Sequence, residues 1–120
     1  MDHKIWYEKD DEIIHLEFTR DYLTSDVPWI REKILELSEG KRYKQMVIQI
    51  SKTSKVENRE TRELSNKVLG EAQITDIAFI GGSAANRMIA KVLLKTGAIK
   101  INGDFFKSLE QGINWIKSKR

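Results

Sequence analysis

The strongest constraint on the fold of this chain is an alternation: short apolar runs separated by segments with helical spacing. Gln45-Met46-Val47-Ile48-Gln49-Ile50 and Ile77-Ala78-Phe79-Ile80 are short, apolar and bounded by polar residues, which suits strands covered on both faces. Before the first run, Ile30, Ile34 and Leu37 recur at helical spacing. Ser25-Asp26 supplies a cap there, Pro28 is tolerated in a first turn, and Gly40 is a natural stop. Between the runs, Asn58 to Leu69 carries Thr61, Leu64 and Val68 on one stripe and Glu63 and Lys67 outside it, with Gly70 as the expected stop. Helices alternating with short buried strands imply parallel pairing through crossovers.

The ends complete the pattern. His3 to Arg20 reads as a hairpin, because Lys9-Asp10-Asp11-Glu12 is a polar turn cluster between two β-rich runs. A loop at Asp10-Asp11 sets Tyr7 opposite Ile14, Ile5 opposite Leu16 and His3 opposite Phe18. That register gathers Ile5, Tyr7, Ile14, Leu16 and Phe18 on a core face and leaves Lys4, Trp6, Glu8, Ile13, His15 and Glu17 on an outer one. After Gly81-Gly82-Ser83, a helix is expected with Met88, Ile89, Val92 and Leu93 inward, ending before Gly97. Ile99 to Ile101 is expected as a short strand, with Asn102-Gly103-Asp104 as a turn. Ser108 with Gln111 forms a capping box for a last helix whose Leu109, Ile113 and Ile116 face inward. The expectation is one α/β domain over residues 1–120, with a mixed four- to five-stranded sheet, about four helices and an opening hairpin.

Composition narrows the class of function. The length of 120 residues suits one core, and 40% hydrophobic with 32% charged residues is a globular balance. The difference of 21 basic and 18 acidic side chains, +3, is too small and too mixed to nominate nucleic acid. The absence of cysteine excludes a thiol nucleophile and a disulfide scaffold and fits a reducing cytoplasm, the expected location. No apolar stretch follows Met1-Asp2-His3-Lys4, and no run approaches the length of a span, so neither a secretory signal nor a membrane helix is expected.

Several phrases in the last third carry a family resemblance: Ile77-Ala78-Phe79-Ile80-Gly81-Gly82-Ser83, Ala90-Lys91-Val92-Leu93-Leu94, and Phe106-Lys107-Ser108-Leu109-Glu110-Gln111-Gly112-Ile113-Asn114-Trp115-Ile116. With the order of elements, they resemble the STAS-like domains, in particular the small bacterial SpoIIAA-like proteins. The resemblance implies a non-enzymatic protein-interaction module in bacterial signalling or regulation, binding a protein partner or itself as a homodimer. Its wider circle of lipid-binding relatives implies the alternative of a small-ligand protein. In the anti-sigma-factor antagonists of this group, a strand ending in Asp leads to an Asp-Ser-Ser-Gly loop that is phosphorylated. Here Gln49 stands at the place of that Asp and Glu57-Asn58-Arg59-Glu60 at the loop, so the usual switch serine is missing. Ser51, Thr53, Ser54 and Asn58 are the remaining switch-loop candidates.

Other candidates follow from the residues alone. Gly81, Gly82, Ser83 and Asn86 stand at a strand-to-helix junction, where backbone N–H groups favour an anion, although the pattern is neither a Walker loop nor a dinucleotide fingerprint. The plainer reading is that the glycines turn the chain and Ser83 caps a helix. The hairpin register sets His3 and His15 on opposite faces, which argues against a shared metal. No catalytic residue is nominated, since Asp10, Asp11 and Glu12 lie in a turn expected to be solvated. Lys41, Arg42, Lys44, Lys52 and Lys55 around Tyr43 read as a solvated basic face. Trp6, Ile13 and His15 on the outer hairpin face are the interface candidates.

Overall fold

A computed structural model describes residues 3–50, 59–81 and 101–120. Strands β1 (Lys4–Glu8) and β2 (Ile13–Phe18) lead through a 3-10 turn at Thr24–Asp26 into helix α1 (Val27–Ser38). Then come β3 (Gln45–Ile50), α2 (Arg59–Glu71), β4 (Asp76–Gly81), β5 (Asn102–Phe106) and α3 (Leu109–Ser118). The five strands form one mixed sheet in sequential order. β1 and β2 are antiparallel, whereas β2, β3, β4 and β5 run parallel. Among the described residues there are three α-helices, and the further helix expected after Ser83 lies outside them. None of the described helices is long and apolar enough to cross a membrane.

The hairpin keeps the expected register, with Tyr7 opposite Ile14 and Ile5 opposite Leu16. Its turn is wider than two residues: Glu12 N donates to the Glu8 carbonyl at 2.9 Å, and Glu12 sits at φ 57°. Parallel pairing then aligns Ile14 with Met46 and Met46 with Ile77, so one face of the sheet is apolar across three strands. Met46 and Ile77 are fully buried under α1 and α2 together with Ile30, Ile34, Val68 and Leu69. Each such side chain contributes about 1.5–3 kcal/mol on removal from water.

The other face is also a core, which corrects the expectation of an outward hairpin face. Ile13, Val47, Ala78 and Ile80 form a second cluster with Ile116 of α3, and Ile13 and Ile116 are wholly buried. The closing helix can seat this closely because Gly112 lies against the sheet: a Cβ there would come within 2.5 Å of the Ile80 Cδ1. Ser108 caps α3 by accepting from Gln111 N at 3.2 Å. Leu109, expected inward, is instead 36% exposed, one turn ahead of the residues that reach the sheet.

Two further expectations are corrected. Helix α2 passes Gly70 and ends at Glu71, where Gln73 takes the left-handed conformation at φ 59°. Ile74 N donates to the Leu69 carbonyl and Gln73 N to the Gly70 carbonyl, the paired bonds of a Schellman ending, and Leu69 and Ile74 are both buried beside it. Asn102-Gly103-Asp104 is strand rather than turn: Asn102 N donates to the Thr75 carbonyl, and pairing sets Phe105 beside Phe79. Edge position and stacking of those two rings, 5.1 Å between centroids, outweigh the turn propensity of Asn-Gly.

Candidate functional site

Parallel strands linked by helices bring one set of connections to the carboxyl edge of the sheet, where ligands and partners of such folds are usually met. Here the ends of β2, β3 and β4 and the starts of α1 and α2 meet at that edge. Asp26, at the entrance to α1, is its anchor and is buried. Sequence spacing reads Asp26 as a helix cap, yet its carboxylate makes no cap bond to α1 and serves the turn before it instead. Arg20 grips it with two nitrogens, Nη1 to Oδ2 and Nη2 to Oδ1, both at 2.8 Å. Leu23 N donates to the same Oδ2 at 2.9 Å.

His3 completes the cluster. Thr19 N donates to its Nδ1 at 3.3 Å, so the ring proton belongs on Nε2, which donates to Asp26 Oδ2 at 3.1 Å. The Arg20 guanidinium, with the Leu23 and His3 bonds behind it, holds the Asp26 carboxyl well below the usual carboxylate range against the opposing effect of burial. Tyr22 lies against the same cluster, its ring 6.1 Å from His3 and 4.8 Å from Phe18. Burial pushes its hydroxyl up to about 12, although Ser65 of α2 shares a hydrogen bond with it at 2.8 Å. Thr24 and Thr61 join hydroxyls beside it, so the turn before α1 is tied to the first turns of α2. Sequence reading missed Arg20, Asp26 and Tyr22 as a unit, since a charged pair six residues apart in a loop leaves no periodic signal.

Gly81 sits at the same edge, opposite Ile50 in the β3–β4 register. It adopts φ +81°, and a Cβ there would lie 2.6 Å from the Ile50 carbonyl oxygen. Its glycine is therefore required by the close approach of two strands, whatever binds beyond it. Gly82, Ser83 and Asn86 of the anion candidate lie outside the described residues, as do Ser51, Thr53, Ser54 and Asn58 of the switch-loop candidate.

The interface candidates divide. Trp6 and His15 come together as expected, their rings stacked at 5.3 Å and 12°. His15 is 4% exposed and Ile13 is buried, so of the three only half-buried Trp6 reaches the surface. Asp11, expected to be solvated in its turn, is buried as well. Its Oδ1 accepts from Ile13 N and its Oδ2 from His15 Nε2, each at 2.9 Å. Among the described residues, His15 Nδ1 has no hydrogen-bond partner. Trp6→Ala uncovers this pair and should cost about 1–2 kcal/mol. Urea unfolding monitored by circular dichroism reads that loss, and an unchanged midpoint would mean that the stack contributes nothing.

Similarity was found at one level. A family model described as a domain of unknown function (DUF7793) matches residues 5–120. No curated protein and no solved structure matches the chain.

Proposed function

The chain belongs to the DUF7793 family, a membership that brings no activity with it, and for this member we propose a STAS-like interaction module of bacterial signalling or regulation. It works by association with a protein partner or a second copy of itself, in the cytoplasm and without turnover. The observation that carries this reading lies at the carboxyl edge, where Arg20, Asp26 and His3 are spent on one another. A carboxylate held ionised by an arginine is a poor general base, and an imidazole bonded at both nitrogens has no lone pair to offer. The turn before α1 is braced against α2 by the Tyr22–Ser65 and Thr24–Thr61 bonds, a fixed shape of the kind a partner can be fitted to. The order of hairpin, parallel strands and closing helix also fits the element order of STAS-like domains.

Thermal unfolding against a panel of nucleotides, phosphorylated metabolites and fatty acids tests this reading against a small-ligand protein. A ligand of the native state must raise the midpoint. The interaction module predicts an unchanged midpoint across the panel. A saturable rise with one compound would replace it with the ligand-binding reading.

A further inference from the structure

The opposite edge of the sheet, where β2 and β3 begin, carries a surface that the proposed function does not use. Three distant parts of the chain meet there: the β1–β2 turn, the residues between α1 and β3, and the end of α3. Arg120 joins them, its Nη2 donating to the Asp11 and Glu12 carbonyls and its Nε to Gln45 Oε1. The side chains above this junction pair cations with rings. Arg120 lies 4.0 Å from the Tyr43 ring centroid and Arg42 4.7 Å from the same ring. Lys41 Nζ is 4.7 Å from the centre of Tyr7, and Lys119 Nζ is 5.0 Å from that of Trp115. At the junction Asp11 is bonded to His15 and Glu12 is paired with Arg42. Among the described residues, Lys41 and Lys119 have no carboxylate within ion-pair distance.

We propose that this edge binds an acidic protein segment, with Lys41 and Lys119 receiving its carboxylates. Rings hold the cations in place, so less side-chain freedom is lost when a carboxylate arrives. The same arrangement disfavours single-stranded nucleic acid, because ring faces already covered by lysine and arginine are not free platforms for bases. The surface names the class of partner for the interaction module and rests on that reading. The two fail separately, because this test measures binding of an added peptide and not the association state of the chain.

The probe is a fluorescein-labelled deca-glutamate peptide titrated with the full chain and followed by fluorescence anisotropy at low and moderate salt. Saturable binding that weakens with salt is expected. Lys41→Glu/Lys119→Glu should bind about ten-fold more weakly. A control, Lys67→Glu/Lys107→Glu, changes net charge equally at exposed positions elsewhere and should bind as the parent does. Circular dichroism verifies that both variants are folded. Absence of binding overturns the assignment. So does equal loss in both variants, which would reduce the effect to net charge, or tighter binding of an oligothymidylate of the same charge.

Discussion

Replacing Gly81 with valine should destabilise the domain by about 3 kcal/mol, among the largest single effects available in the chain. Two penalties coincide there. A φ of +81° is a conformation that a β-branched residue occupies only under strain. Its Cβ would also fall 2.6 Å from the Ile50 carbonyl oxygen, a backbone atom fixed in the β3–β4 pairing. The contact cannot be relieved by swinging a side chain aside, so β3 and β4 must separate where they reach the carboxyl edge. Guanidinium unfolding should show a lower midpoint with an unchanged slope, and Gly81→Ala a smaller shift in the same direction. A valine variant as stable as the parent would mean that Gly81 does not approach the Ile50 carbonyl as described.

Asp26→Ala should cost about 3 kcal/mol at neutral pH, because it strands His3 in a buried site and removes both bonds to Arg20. Arg20, a third exposed, can turn to water and so limits the loss. The pH dependence carries a distinct signature. In the folded chain the Asp26 carboxyl ionises well below its value in the unfolded chain, about 3.9, so near and below that pH the unfolded state binds the extra proton. Its contribution to stability is therefore complete above about pH 5 and is lost as the pH falls through the acid range. Asp26→Asn should show a shallower acid limb, its deficit against the parent narrowing as the pH drops below 4. Parallel stability curves would show that Arg20 and His3 do not hold this carboxylate in its charged form.

Much of the architecture was legible because one face of each element obeys a simple period. The apolar alternation around Lys9 to Glu12 fixes the hairpin register, and Gln45 to Ile50 is strand over the expected residues. Ser25-Asp26-Pro28 and Gly40 bracket α1 to within two residues at either end. Misreadings arise where tertiary packing overrides local preference. Ile13 and His15 alternate with core residues as if they faced water, yet a helix from the far end of the chain covers Ile13 and a stacked tryptophan covers His15. No window along the sequence contains that information. Gly70 looks like a helix stop, but burial of Leu69 and Ile74 favours an ending three residues later, at a glutamine.

Less of the candidate site was legible. Trp6 and His15 are found together through the period of two across an antiparallel pair, and Gly81 through its place after an apolar run. The Arg20–Asp26–His3 cluster unites the residue before β1, a loop and a helix entrance, which only the folded sheet brings into reach. The basic edge was partly visible in Lys41-Arg42-Tyr43-Lys44, but Lys119, Arg120 and Trp115 join it from the opposite end of the chain.

The most direct test of the chain as an interaction module is native mass spectrometry of the protein isolated gently from its own cells, followed by the denatured mass of the same sample. A dimer or a complex with another protein, built on an unmodified chain, is the predicted result. A monomer that releases a stoichiometric small molecule on denaturation would contradict the account and make the protein a carrier.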